Sequence, residues 1–214
     1  MKKILNKRLE RLSAFINEND SVIDIGCDHA LLGIYLMLNR KNIKVVGSDI
    51  NYKPLEKAKE NISKYHLEDK IELRLGFGLD TVTDDIDTVV ISGMGGITIV
   101  NILKNIRKYP NIRRIIISPN SDFSLTRCEI SKLGFMINEE EIVEEKGKYY
   151  LISEYIKGYD TTDYFFGKLN KFDKEVVDYY QNILDKNKKI ISKVSFIKKM
   201  KLLKENRKIK KWLK

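Results

Sequence analysis

The sequence predicts an α/β protein with a mostly parallel, doubly wound sheet and a separate helical C-terminal region. Three observations support this prediction. Short apolar segments alternate with helical segments between residues 21 and 133, as in successive βαβ units. Glycine directly follows several of these apolar segments, where a strand turns into a helix. After Gly158 the strand pattern stops, and a helical pattern continues to the C-terminus.

The predicted elements can be placed along the first 158 residues. Apolar residues at helical spacing predict an N-terminal helix over residues 3–17, with Leu5, Leu9, Leu12 and Ile16 on one face. Parallel strands are predicted at 22–26, 44–49, 70–75, 87–92 and 113–118. Helices are predicted between them, at 30–39, 55–65, 97–108 and 124–133. A final antiparallel strand pair is predicted at 135–143 and 149–157.

The tail has the pattern of paired helices. Apolar residues recur at alternating spacings of three and four residues, at Leu169, Phe172, Val176, Tyr179 and Ile183, and again at Ile190, Val194 and Ile197. Such a seam is typical of coiled coils. Two antiparallel helices would bury it, with a turn near 185–189 or 192–195, and the alternative is a single long helix paired with another chain. The predicted domains are residues 1–158 and 159–214.

Nearly all of the net charge of +10 lies in this tail. Residues 160–214 contain 16 Lys or Arg and 7 Asp or Glu, a net +9, whereas residues 1–159 contain 24 and 23, a net +1. A localised basic surface fits a polyanionic partner such as nucleic acid or an acidic membrane face. A solvated helical tail without a partner accounts for the composition equally well.

Several classes of protein are not expected. The chain has no apolar run of the roughly 18 residues that a membrane helix needs, and its charged N-terminus lacks a secretory apolar region. Cys27 and Cys128 are far apart, so neither a disulfide framework nor a zinc site is expected, and a reducing cytoplasm fits. His29 and His66 lack the spacing of metal ligands. No metal is therefore predicted.

Two acidic positions indicate a nucleoside cofactor. The segment DIGCDH, residues 24–29, follows the first predicted strand, and its Gly26 allows a ligand to approach the backbone closely. Asp49 ends the second strand, where a carboxylate can accept hydrogen bonds from ribose hydroxyls. The fingerprint G-x-G-x-x-G is absent, and the carboxylate of Asp28 would repel a pyrophosphate. The segment therefore favours a positively charged cofactor such as S-adenosylmethionine over NAD.

Three further strand ends carry candidate site residues. Gly76-Phe77-Gly78 follows the third strand, and Phe77 is suited either to stack beside an adenine or to fill the core. Ser92-Gly93-Met94-Gly95-Gly96 offers a bare backbone to a cofactor and an acceptor. Asn120, after the fifth strand, is suited either to contact a nucleobase edge or to cap a helix.

Together, the motifs DIGCDH, GMGG and PN and the segment EEKGKYY at 144–150 resemble the bacterial TrmK family. That family methylates N1 of adenosine 22 in tRNA with S-adenosylmethionine, which leaves S-adenosylhomocysteine. The resemblance spans about residues 5–157. It implies a class I, Rossmann-like methyltransferase sheet with an N-terminal helix, followed by a two-helix coiled-coil domain. We expect a monomer that binds tRNA and needs neither a membrane nor a metal.

The resemblance also implies site residues. By their positions after the first and fifth strands, rather than by the resemblance, Asp28 and Asn120 are the catalytic candidates, since a carboxylate or carbonyl near the base would stabilise a cationic product. The cofactor-binding candidates are Arg8, Asp24, Gly26, His29, Asp49, Ile50, Asn51, Gly76, Phe77, Gly78, Gly93 and Met94. Two positions depart from the family. Phe77 stands where relatives usually have Asp and cannot accept a hydrogen bond from the adenine amine, and Ser118 stands where they usually have Gln.

The residues leave two other functions open. A small-molecule methyltransferase would use the same cofactor motifs but leaves the basic tail unexplained. A non-catalytic RNA-binding protein on a Rossmann-like scaffold would explain the tail, and Phe77 favours it.

Overall fold

A seven-stranded sheet lies at the centre of the larger of two units, in the strand order β3-β2-β1-β4-β5-β7-β6. The structure is a computed structural model that describes residues 5–40, 42–159 and 161–214. The strands are β1 (Ser21–Ile25), β2 (Lys44–Asp49), β3 (Ile71–Leu75), β4 (Thr88–Ser92), β5 (Arg114–Ser118), β6 (Phe135–Glu145) and β7 (Lys148–Lys157). β1 to β5 are parallel, and β7 is antiparallel to both of its neighbours. The predicted α/β class and the antiparallel closing pair are confirmed.

Among the described residues, five α-helices accompany the sheet: α1 (Lys7–Ala14), α2 (Leu31–Asn39), α3 (Tyr52–Lys64), α4 (Gly96–Leu103) and α5 (Phe123–Lys132). The N-terminal helix is shorter than predicted. The side chain of Asn6 accepts a hydrogen bond from the amide of Leu9, which sets the start of α1, and the helix ends before Phe15. The predicted start at residue 3 lies outside the described residues. The predicted helix 97–108 ends at Leu103 and is followed by a short 3₁₀ turn, Ile106–Lys108.

Apolar side chains cover the sheet on both faces. In β5, Ile115 and Ile117 belong to one buried cluster and Ile116 to the other, as the two-residue period of a strand requires. Helices α4 and α5 pack on the first face, and α1, α2 and α3 pack on the second. Because both faces are covered, ligands have access to the sheet at the carboxyl ends of its parallel strands.

The contacts within the chain group it into two compact units that meet after Lys168, whereas the sequence suggested a boundary after Gly158. Residues 164–168, the segment that ends at Lys168, pack on the sheet unit. The guanidinium of Arg127 donates to the carbonyls of Tyr164 and Phe165 at 3.1 Å, and the amide of Lys168 donates to Glu140 at 2.8 Å. Any truncation that removes the tail should therefore begin at residue 169.

The smaller unit, residues 169–214, contains two antiparallel helices, α6 (Lys174–Ile190) and α7 (Phe196–Trp212). The rings of Tyr180 and Trp212 meet edge to face with centroids 5.2 Å apart, so the first half of α6 lies beside the end of α7. The helices are joined by residues 191–195, which agrees with the later of the two predicted turns.

The predicted seam of the tail is wrong in part. Phe172 precedes the capping residue of α6, Asp173, and is 84% exposed, and Ile197 in the first turn of α7 is 71% exposed. Buried positions in α6 follow spacings of four, four and three, at Val176, Tyr180, Leu184 and Asn187. In the described part of the chain, no helix is both long and apolar enough to cross a bilayer.

Candidate active site

A cavity of about 450 Å³ lies at the carboxyl ends of β1, β2 and β4, and its volume is typical of a small-ligand site. Eight predicted site residues line it: Arg8, Asp24, Gly26, Asp28, His29, Asp49, Gly93 and Met94. The structure therefore brings together residues from four separate segments of the sequence. Their meeting follows from the parallel order β2-β1-β4, which aligns the three strand ends at one edge.

The turn after β1 has a backbone that depends on glycine. Gly26 has φ +78°, and its amide and that of Cys27 donate to the carbonyl of Ser48 at 2.8 and 3.0 Å. A Cβ built on Gly26 would lie only 2.2 Å from Cε of Met94. Asp28 also has a left-handed backbone, with φ +49°. The turn is thus tightly folded beneath the loop after β4, and it leaves the side chain of Asp28 exposed at the cavity.

Two carboxylates, of Asp24 and Asp49, line the same cavity. Asp24 is only 8% exposed, and burial together with the charge of Asp49 raises the pKa of Asp24 from 3.8 to about 7. The carboxylate of Asp49 accepts a hydrogen bond from the amide of Asn51 at 2.8 Å, which orients it at the end of β2. Asp24 is therefore mostly protonated below neutral pH, and a cationic ligand would favour its charged form.

Asn120 lies beside the cavity and outside its wall. Its side-chain amide donates to the carbonyl of Gly93 at 2.6 Å, and its backbone amide donates to the carbonyl of Met94 at 2.8 Å. The amide of Gly93 in turn donates to the carbonyl of Ser118 at 3.0 Å. These bonds tie the loop after β5 to the loop after β4, and they hold the carboxamide of Asn120 at the rim.

The remaining predicted cofactor residues do not line the cavity: Ile50, Asn51, Gly76, Phe77 and Gly78. The amide of Gly76 donates to the carbonyl of Asp49, so this segment adjoins the site. A Cβ on Gly76 would lie 2.6 Å from Cγ2 of Thr81, so close packing with Thr81 already explains why this position is a glycine. Phe77 is 55% exposed and is not a core residue, so its contact with an adenine stays a prediction.

The cavity wall contains five residues outside the predicted set: Leu9, Cys27, Leu31, Leu32 and Ser92. Leu9, Cys27 and Ser92 are chain neighbours of predicted residues, and this adjacency was the available signal, whereas Leu31 and Leu32 lie in the first turn of α2 and had none. Burial raises the pKa of the Cys27 thiol, which makes it a poor nucleophile. The buried hydroxyl of Ser92 has no hydrogen-bond partner among the described residues.

The residues of the cavity fit S-adenosylmethionine. Three carboxylates, of Asp24, Asp28 and Asp49, line it together with a single guanidinium, of Arg8. This cofactor carries a sulfonium, an ammonium and one carboxylate, so the excess of acidic side chains matches its charges. Asp49 at the end of β2 is placed as a ribose ligand should be.

The sheet order and the cavity at its carboxyl edge define a Rossmann-like methyltransferase domain. A family model described as a methyltransferase domain matches residues 5–153. The structure of M. capricolum TrmK, which contains S-adenosylhomocysteine, is 31% identical with a TM-score of 0.86, over 99% of this chain and 98% of that one. The chain therefore belongs to the TrmK family of methyltransferases.

Two further comparisons, one of sequence and one of structure, are with Bacillus subtilis. A protein named tRNA (adenine(22)-N(1))-methyltransferase is 34% identical over 148 residues, which are 68% of this chain and 62% of the relative. The sequence alignment thus spans less than two thirds of that relative. The crystal structure of the B. subtilis tRNA methyltransferase TrmK is 25% identical with a TM-score of 0.83, and that match covers 98% of this chain and 99% of the other. The likeness in three dimensions therefore includes the tail.

Proposed function

We propose that this protein transfers a methyl group to N1 of an adenosine in tRNA, at position 22, with S-adenosylmethionine as cofactor. The observation that carries the proposal is the acidic cavity at the carboxyl ends of β1, β2 and β4. The relatives named for this reaction supply the position in tRNA. A monomeric, cytoplasmic protein stays a prediction.

Methylation of adenine N1 requires little covalent chemistry from the protein. When bound, S-adenosylmethionine supplies an electrophilic methyl group on its sulfonium. Adenine N1 has a lone pair in the ring plane, so the protein must hold N1 in line with that methyl at an approach of roughly 3 Å. Asp24 and Asp49 hold the cationic and ribose parts of the cofactor, and Gly93 and Met94 border the acceptor side.

Asn120 and Asp28 are placed to act on the adenine. One N–H of Asn120 is engaged by the carbonyl of Gly93, which leaves its side-chain oxygen as an acceptor for the adenine amine. The carboxylate of Asp28 is exposed at the cavity, 3.6 Å from Nε2 of His29. A negative group there would stabilise the positive charge that methylation places on the base.

We predict that Asn120→Ala lowers kcat for tRNA methylation by roughly 10- to 100-fold, the effect of one lost orienting hydrogen bond. The affinity for S-adenosylmethionine should change less than about threefold, because Asn120 lies outside the cavity wall. Steady-state kinetics and calorimetry on the same preparation measure both. A variant that loses cofactor affinity and keeps kcat would place Asn120 in the cofactor pocket.

The affinity for S-adenosylmethionine should rise with pH between about 5.5 and 7. Asp24 has a pKa of about 7, so below that pH a proton must leave before the carboxylate can bind a cation. We expect a loss of affinity that approaches tenfold for each pH unit well below 7, and a further gain of at most about twofold above it, because half of the Asp24 carboxyl groups are still protonated at the pKa. Calorimetry in buffers of different ionisation enthalpy would show the proton release.

His29 lines the same cavity, so an Asp24→Asn variant is needed as the control. This variant should bind the cofactor more weakly, with a flatter pH dependence below 7. If Asp24→Asn retained the wild-type slope, the proton would belong to another group.

The basic unit of α6 and α7 gives the protein a surface for tRNA. Fifteen Lys or Arg and five Asp or Glu fall in residues 169–214, which is the whole net charge of +10. N1 lies on the pairing edge of adenine, so a paired or stacked adenosine must first be exposed at a cost of a few kcal/mol. Phosphate contacts from the tail are suited to offset that cost.

Transfer of labelled methyl groups to unmodified tRNA tests the proposal. The full-length protein should label tRNA and leave free adenosine and adenine nucleotides unlabelled. Labelling of small molecules alone would support the alternative of a small-molecule methyltransferase. Binding of tRNA without any transfer would support a non-catalytic RNA-binding protein.

A further inference from the structure

Arg8 is the one permanent cation among the described residues that line the cavity. It lies on the side formed by the loop after β4, since a Cβ built on Gly93 would be 3.7 and 3.8 Å from its two terminal nitrogens. Asp49 lies at the end of β2, on the other side of β1. Arg8 and Asp49 therefore mark opposite sides of the cavity.

Arg8 and Asp49 suit different parts of the cofactor. If Asp49 binds the ribose, the other side receives the methionine part, which carries the only carboxylate of S-adenosylmethionine. In the part of the chain that the structure describes, no carboxylate lies within ion-pair distance of Arg8. A guanidinium in this situation is a strong partner for a ligand carboxylate.

The ring of Tyr150 supports the guanidinium of Arg8. The Cζ of Arg8 lies 4.9 Å from the centroid of this ring, a distance typical of a cation–π interaction. Tyr150 pairs in register with Val143 of β6, and Val143 packs in the same cluster as Leu12 of α1. The amide of Lys7 also donates to Glu145 of β6 at 2.8 Å. The strand pair therefore fixes both α1 and the side chain that α1 presents to the cavity.

We propose that Tyr150 is a positioning residue, which holds Arg8 against the carboxylate of the cofactor's methionine part. The inference rests on the proposed function, because it takes S-adenosylmethionine as the ligand. It assigns a role to Tyr150 of β7, which the cofactor motifs leave unexplained.

Calorimetry with two ligands tests this role in the full-length protein: S-adenosylmethionine and its decarboxylated form, which differ only in the carboxylate. The wild type should prefer the intact cofactor by about 10-fold or more, and Arg8→Gln should remove most of this preference. Tyr150→Leu should weaken binding of the intact cofactor by about 3- to 10-fold and leave that of the decarboxylated form within about twofold. Tyr150→Phe keeps an aromatic face and should restore the preference.

Tyr149→Leu is the matched control, since the side chain of Tyr149 points to the opposite face of β7. It should keep the preference for the carboxylate. A Tyr150→Leu variant that weakened both ligands equally, or neither, would overturn the inference and leave the proposed function intact. A wild-type protein that bound neither ligand would overturn both.

Discussion

Reversing three lysines of α7, in the variant Lys198→Glu/Lys199→Glu/Lys201→Glu, should lower the affinity of the full-length protein for tRNA by roughly 100-fold at low salt. All three side chains are exposed on a unit that carries the whole net charge of the protein. Binding of S-adenosylmethionine should be unchanged, because every residue that lines the cavity lies before residue 95. Filter binding across a series of salt concentrations measures the effect. The slope of log affinity against log salt should become shallower by about 0.9 for each lost phosphate contact.

The control for this experiment makes the same change in net charge on the sheet unit. Lys59, Lys70 and Lys104 are exposed there, and their reversal to glutamate should weaken tRNA binding much less.

A second test removes residues 169–214 and leaves the packed segment that ends at Lys168 in place. If the tail is instead a brace or a contact between two copies of the chain, tRNA affinity would be equal with and without the three reversals.

Asp49→Ala should weaken binding of S-adenosylmethionine by roughly 10- to 100-fold, the effect of losing hydrogen bonds between a carboxylate and the ribose. Asp49 is already oriented for this contact by the amide of Asn51. The substitution also removes a negative charge that raises the pKa of Asp24. The pH at which cofactor affinity begins to fall should therefore move to a lower value. Calorimetry between pH 5.5 and 8 measures both effects.

Asp69→Ala provides a comparison for the loss of an exposed carboxylate, because Asp69 lies in the turn before β3 and outside the cavity wall. It should leave the cofactor affinity unchanged. A folded Asp49→Ala protein with wild-type affinity would reject the assignment of Asp49 to the ribose.

The sequence predicts the sheet unit well because its signals are local. Each parallel strand is a short apolar run that ends at a glycine or a polar residue, and β2 was predicted over the same residues that the structure shows. The carboxyl ends of parallel strands meet at one edge, so motifs at successive strand ends predicted one site. Eight predicted residues do line one cavity.

The features that the sequence did not predict depend on contacts between distant segments. Arg127 and Glu140 form a fully buried ion pair with an Nε to Oε1 distance of 2.8 Å, and the segment that ends at Lys168 packs against both. Nothing in the local pattern indicates this, and the predicted domain boundary was therefore placed too early. Likewise, the glycines around Phe77 resembled ligand-binding glycines, although Gly76 is also required by close contact with Thr81. In the tail, helical spacing alone did not define which face of α6 is buried.

The most direct test of the central claim is to map the methylated atom in an unmodified tRNA transcript after incubation with the full-length protein and S-adenosylmethionine. N1-methylation blocks base pairing, so reverse transcription should stop at adenosine 22, and mass spectrometry of the nucleosides should show 1-methyladenosine. A transcript with guanosine at position 22 should give neither signal. Methylation at another atom or nucleotide, or no methylation by a protein that binds both the cofactor and tRNA, would contradict the account.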